Sequence, residues 1–166
     1  MNTVARLLLP CTLLLSFIGA SSHAQDVHYS TYHDYRVVPV VDGLVRPWSM
    51  AFLPGGDMLV TEQPGRLRIV RNGRLLEQPV SGVPEVFYKG QGGLLDVVLH
   101  PDFASNRLVY LSYAKPLADG ESTTAVARGR YADSALSEVE EIFVAQSRGR
   151  GHYGSRLAFD DQGYLF

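Results

Sequence analysis

One pattern recurs along the chain and constrains its fold more than any other: an apolar pair, a polar turn, then an apolar strand. It occurs in AFLPGGDMLV from Ala51, in VVLHPDFASNRLVYLSY from Val97 and in LAFDDQGYLF from Leu157. Between the first two passes the strand and turn signals continue. Trp48 to Phe52 is a short apolar run, and Leu53 to Asp57 is a Pro-Gly-Gly turn. Met58 to Thr61 reads as a strand, and Gln63-Pro64-Gly65 as a turn. Arg66 to Val70 alternates charged and apolar residues, the period-two pattern of a half-buried strand. Asn72-Gly73 is the strongest short hairpin signal. Helical periodicity is absent between residues 36 and 115. These features predict an all-β chain built as an antiparallel meander.

The remaining segments are read the same way. Arg36 to Val41 is rich in β-formers but contains Pro39, which suits an edge strand. Lys115 to Ser122 is a loop, and Thr123 to Tyr131 returns to a strand pattern. Asp133 to Glu141 fits a short acidic helix or a wide turn. Its cluster of Glu138, Glu140 and Glu141 is read as a solvated loop rather than a cation site. His28 and His33, in a polar entry segment, are read as exposed rather than as metal ligands.

Gly90 to Phe103, GQGGLLDVVLHPDF, is the densest stretch. A glycine-rich turn carrying Gln91 feeds the apolar run Leu94 to Leu99, which His100-Pro101-Asp102 ends. A polar side chain on a glycine turn at the mouth of a buried strand is well placed to meet a ligand. His100, among turn formers, is assigned a structural role. Trp48 and Tyr113 are read as core residues. Asp96 interrupts the apolar run, and a buried carboxylate there needs hydrogen-bonding partners; the sequence does not name them.

Hydrophobic residues make up 46% of the chain and charged residues 19%, with a net charge of −2. Those values describe an ordinary globular chain and give no reason to propose nucleic acid or an anionic membrane as a partner. Arg6, the apolar stretch Leu7 to Ala20 and Ser22-His23-Ala24 together form a secretion signal, with cleavage after Ala24. The apolar run is short of the ~20 residues a spanning helix needs, and Pro10 is a poor neighbour for lipoprotein processing at Cys11. Cys11 is the single cysteine, so the mature chain from residue 25 has no disulfide and no thiol nucleophile. The expected location is the periplasm or the exterior, with no transmembrane segment after cleavage.

From about Gly43 to Phe166 the sequence resembles the soluble pyrroloquinoline-quinone-dependent sugar dehydrogenases, the glucose/sorbosone dehydrogenase family, and within it the aldose sugar dehydrogenase branch. The resemblance is carried by GLVRPWSMAFLPGGDMLVTE, SGVPEVFYKGQGGLLDVVLHPDF, LVYLSY and GHYGSRLAFDDQGYLF, in that order. It implies a six-bladed β-propeller. Phe52, Leu99 and Phe159 then mark successive blades at intervals of 47 and 60 residues, beside the roughly 40–50 residues of such repeats. The resemblance also favours an inter-strand loop at Ser134 to Val139. The chain stops within the strand Tyr164-Leu165-Phe166. We therefore expect residues 25 to 166 to be the N-terminal part of a longer propeller, about three blades of six.

The resemblance also assigns roles. His152, in Gly149-Arg150-Gly151-His152-Tyr153-Gly154, matches the family's general base, which takes the proton of the sugar's anomeric hydroxyl while hydride passes to the quinone. A glycine-flanked histidine at a strand mouth is chemically suited to that task near neutral pH. Gln91 matches the glutamine near substrate and cofactor, and a carboxamide can both donate to and accept from sugar hydroxyls. Arg156 is expected to be structural. Gly151 stands where glucose-specific members carry an acidic residue, which points to the broader aldose branch.

No Gly-x-Gly-x-x-Gly opens a helix, and neither Gly-x-Ser-x-Gly nor His-Glu-x-x-His occurs, so nicotinamide, esterase and zinc-protease chemistries are not indicated. The expected function of the complete protein is oxidation of aldoses at C1 to lactones, with pyrroloquinoline quinone and calcium as cofactors and a downstream electron acceptor. Most cofactor ligands of the family lie further along the chain, so no metal ligand is assigned here and this chain alone is expected to be inactive. The alternatives are a secreted, non-catalytic propeller binding module and a truncated gene product.

Overall fold

A computed structural model of the chain describes residues 26–166. The expected signal segment, residues 1 to 24, lies outside the described residues. Among the described residues, no helix is long and apolar enough to cross a membrane.

The chain divides into two units, one ending at Val38 and one running from Pro39 to Phe166. In the first, β1 (Val27–His28) and β2 (Tyr35–Arg36) form a short antiparallel hairpin. His28 stacks on Tyr35 with ring centroids 5.2 Å apart, and His28 and His33 are both exposed. The edge strand expected over Arg36 to Val41 is not formed. Pairing ends at Arg36, and Pro39 has no N–H with which to extend a ladder.

The second unit contains two four-stranded antiparallel meanders. The first consists of β3 (Pro47–Phe52), β4 (Met58–Glu62), β5 (Arg66–Arg71) and β6 (Arg74–Leu75) in chain order. Each turn is where the sequence places it. Leu53 N–H donates to the Asp57 carbonyl at 2.8 Å, and Gly65 N–H to the Glu62 carbonyl at 2.9 Å. Asn72 and Gly73, with φ of 50° and 70°, make the tight turn that suits the right-handed twist of paired strands.

The second meander consists of β7 (Leu94–Leu99), β8 (Leu108–Pro116), β9 (Ser122–Ala132) and β10 (Ala135–Val144). Between β7 and β8 lies α1 (Phe103–Asn106), a single helical turn too short to leave a periodicity in the sequence. His100 organises this corner, as expected. Its Nδ1 accepts the Asp102 N–H at 3.0 Å and lies 2.8 Å from Asn106 Nδ2. Its ring packs against Tyr110 and Phe159.

The loop expected over Ser134 to Val139 is instead the start of β10. The turn is confined to Asp133 and Ser134, with φ of 49° and 60°. Two register shifts then bend the strand, and Glu138 adopts φ 50° beside the first. Acidic side chains made the segment read as a loop. They are tolerated because they face solvent on the outermost strand and meet Arg130, Arg128 and Lys115, at 3.3, 2.9 and 2.6 Å from Glu138, Glu140 and Glu141 respectively. Exposed pairs of this kind contribute only ~0–1 kcal/mol each.

Leu59, Leu67 and Ile69 of the first sheet pack with Leu94, Val97, Val109, Leu111, Ala125 and Ala127 of the second in one continuous core. Burying each such side chain contributes about 1.5–3 kcal/mol. Tyr113 belongs to this core, as expected, and its hydroxyl donates to Glu141 Oε2 at 2.7 Å. Burial and the adjoining carboxylate push its pKa well above the usual phenol range. Beyond β10 the chain turns back once more. Ala158 and Phe166 exchange backbone hydrogen bonds of 2.9 and 2.8 Å across an Asp160–Tyr164 turn. The architecture is therefore all-β: where about three blades are expected, the structure has two four-stranded sheets followed by a turn closed by an isolated Phe159–Leu165 bridge.

Candidate active site

In an antiparallel meander, alternate connections lie at the same end of the strands. The β4–β5 turn carries Gln63, the β6–β7 connection carries Gln91, and the segment leaving β10 carries His152. All three reach the same end of the blades, where they line a recess of about 380 Å³ with Trp48, Leu95 and Tyr153.

The glycine turn before β7 makes this approach possible. Gly93 adopts φ +141°, and a Cβ there would stand 2.1 Å from the Gln63 carbonyl oxygen. That oxygen accepts the Leu94 N–H at 3.0 Å, which ties the first blade to the second directly beneath Gln91. Only glycine permits so close a backbone crossing.

Gln91 and His152 are 61 residues apart in sequence, yet Gln91 Oε1 accepts the His152 N–H at 2.8 Å. Through this bond Gln91 fastens a loop far from its own turn. His152 is exposed and has φ 59°, and Ser155 follows with φ 78°. Left-handed backbone at non-glycine residues is strained and persists only where the surroundings over-determine it.

Those surroundings are specific. Thr124 Oγ1 donates to the Tyr153 carbonyl at 3.0 Å, and Ser112 Oγ donates to the Ser155 carbonyl at 2.7 Å. The Tyr153 hydroxyl lies 2.6 Å from Ser122 Oγ, which itself donates to the Gly149 carbonyl at 2.8 Å. The hydroxyl row at the start of β9 thus holds the loop that presents His152.

Three features were missed in the sequence. Trp48 is half-buried and forms a wall of the recess rather than lying in the core. Gln63 read only as a turn residue, yet its Nε2 reaches the Gln91 carbonyl at 3.4 Å. Asp96 is fully buried and paired with Arg156, whose guanidinium lies 5.1 Å from the Trp48 ring centroid. The interruption of the apolar run by Asp96 was the only signal for this network.

An exposed imidazole and a carboxamide at the edge of a recess with an aromatic wall can move a proton and hold a polyhydroxylated molecule. They do not supply a metal site. Calcium takes six to eight oxygen ligands, and among the described residues no group of three or more His, Cys, Asp or Glu is placed to hold a metal. No lysine or arginine is among the residues that line the recess.

Comparison with known proteins places this architecture. The sequence model of the Glucose / Sorbosone dehydrogenase family matches residues 44–166, and the chain belongs to that family. It is 46% identical over 130 residues to the aldose sugar dehydrogenase YliI of Escherichia coli K12, covering 75% of this chain and 35% of that protein. A crystal structure of a glucose dehydrogenase superposes with TM-score 0.73 at 47% identity, over 77% of this chain and 38% of that one. The PQQ-bound aldose sugar dehydrogenase of Streptomyces coelicolor superposes with TM-score 0.68 at 30% identity, over 78% and 39%. The chain spans about a third of the length of the curated relatives it matches, 33% and 35%.

Proposed function

We propose that this chain forms the base-bearing side of the active site in a PQQ-dependent aldose sugar dehydrogenase. The observation that carries the reading is the 2.8 Å contact between Gln91 and His152 at the recess edge. It brings together the two residues that the family motifs single out. Support also comes from the aldose sugar dehydrogenases among the relatives, one of them PQQ-bound.

In this reading the His152 imidazole accepts the proton of the sugar's C1 hydroxyl, and the freed electron pair forms the lactone carbonyl as hydride leaves C1. Pyrroloquinoline quinone, when bound, supplies the two-electron acceptor for that hydride. Gln91 uses its Oε1 to hold the His152 backbone, which leaves its Nε2 protons for a sugar oxygen. The Trp48 ring gives the sugar an apolar wall. Calcium and the cations for the quinone are assigned to the length of the relatives that this chain does not span, so the 166 residues alone are inactive. A downstream acceptor would take the two electrons onward.

We also propose export: cleavage after Ala24 delivers the protein to the periplasm or the exterior, and N-terminal sequencing of the mature protein checks the site. The central test is His152→Ala in the complete enzyme. Turnover should be lost while PQQ still binds. Wild-type turnover in that variant would remove His152 from the mechanism, and an enzyme that neither binds PQQ nor oxidises aldoses would leave the binding-module reading.

A further inference from the structure

Asp96 lies in the middle of β7 and is fully buried. A carboxyl group in such a place is tolerated only when its oxygens are engaged, and here they accept four hydrogen bonds. Oδ1 accepts the Ser49 hydroxyl, the Val97 N–H at 2.9 Å and Arg156 Nη1 at 3.0 Å. Oδ2 accepts the Leu157 N–H at 2.7 Å. The donors come from three segments, and two of these carry walls of the recess. Ser49 directly follows Trp48 on β3. Arg156 and Leu157 close the loop that begins at His152, and Arg156 lays its guanidinium 5.1 Å from the Trp48 ring centroid. Asp96 does not itself line the recess.

We propose that Asp96 is a positioning residue for the proton-transfer site, resting on the dehydrogenase reading above: it sets the Trp48 wall and the His152 loop at a fixed separation. Two branches do this. On one side Arg156 links Asp96 to the Trp48 ring. On the other, the Leu157 N–H pins the end of a loop whose start is pinned by Gln91. Between these anchors, His152 and Ser155 are held at φ 59° and 78°, backbone that relaxes once a fastening is lost. Asparagine cannot replace Asp96. It has one carbonyl oxygen and one NH2, so it turns a donor toward at least one of the four donors.

The sequence contains one tryptophan, so the emission of the 166-residue protein reports on Trp48 alone. In Asp96→Asn, acrylamide quenching of that emission should rise, and amide exchange across residues 152 to 157 should speed up. In the PQQ-loaded enzyme, kcat should fall about ten- to a hundredfold with KM changing less, as misplacement of a reacting group does. Arg156→Ala removes a side chain that is 69% exposed, and substitutions at such positions rarely unfold a protein. It should raise Trp48 quenching and leave exchange at Leu157 unchanged. Wild-type quenching and exchange in Asp96→Asn would overturn the proposal. If that variant does not fold, unchanged quenching together with unchanged kcat in Arg156→Ala overturns it instead. Quenching and exchange need no cofactor. A failure of the dehydrogenase reading would appear as an inactive complete wild-type enzyme with both branches intact.

Discussion

The carboxamide oxygen of Gln91 accepts the backbone N–H of His152 at 2.8 Å, and so fixes the start of the loop that carries the proposed base. Gln91→Met keeps the side-chain length but removes the acceptor. In an exposed setting the lost hydrogen bond should cost about 0.5–1.5 kcal/mol of stability. Turnover should fall further than that, about tenfold or more, because the base is displaced. Gln91→Glu retains a side-chain acceptor and should recover most of the loss. Steady-state kinetics of the three proteins in the complete enzyme check this.

Gly151 tests the same contact from the other side. A Cβ at this position would stand 3.0 Å from Gln91 Oε1, so an alanine there makes the carboxamide give way by a few tenths of an ångström and disturbs its contact with the His152 N–H. Gly151→Ala should reproduce the kinetic loss of Gln91→Met. In the Gln91→Met background it should add little, because the contact it disturbs is already gone. Independent, additive losses in the double-mutant cycle would show that Gly151 acts by another route.

The comparison of sequence with structure follows the range of the interactions. Arg66 to Val70 and Asn72-Gly73 were legible because alternation and hairpin chemistry are local, and β5 with its turn forms where they indicate. The Asp133–Ser134 turn was not, because neither residue carries the usual glycine signal and the acidic residues after it mimic a loop. Trp48 read as core because a strand aromatic is most often buried, and only the fold shows that β3 brings it to the recess. Gln91 and His152 were found through family motifs, but not their mutual hydrogen bond. The partners of Asp96 were out of reach: Ser49 and Leu157 lie 47 and 61 residues away, and the Leu157 donor is a backbone group common to nearly every residue.

Glu62 carries a pH dependence with a defined sign. Its side chain is fully buried and accepts the Val45 N–H at 2.6 Å and Arg66 Nε at 2.6 Å, with Arg68 Nη1 at 3.4 Å. Burial alone would raise its pKa. The Val45 N–H and the two guanidiniums outweigh it and hold the carboxyl below the ordinary value of 4.5. A group depressed in the folded state stabilises above its unfolded pKa, and that contribution is lost as pH falls through the lower folded value. Urea titrations should therefore show stability dropping on the acid side of about pH 4.5, the ordinary value. Glu62→Gln should lower stability at neutral pH by about 1–3 kcal/mol, through the donors left without their acceptor, and should flatten the acid limb. An unchanged acid limb in the variant would assign that pH dependence to other carboxyls.

Gly93 is a point where the backbones of the two sheets cross closely, and it separates two possible reasons for the glycine-rich turn. If the glycines serve only flexibility, alanine is tolerated wherever space allows. If backbone approach is the requirement, Gly93→Ala must push away the Gln63 carbonyl, because the new Cβ would lie 2.1 Å from that oxygen at φ +141°. The displacement breaks the Leu94 N–H to Gln63 bond of 3.0 Å and should cost about 3 kcal/mol, at the upper end of common single substitutions. Gly55→Ala is the control, since its Cβ meets nothing within 4 Å and should change stability by no more than about 0.5 kcal/mol. Denaturant midpoints at constant m-value measure both. Because Gly93 lies two residues after Gln91, its substitution should also loosen the His152 loop. Faster amide exchange at His152 in Gly93→Ala, and not in Gly55→Ala, is the expected signature of a turn that holds the site through close backbone contact.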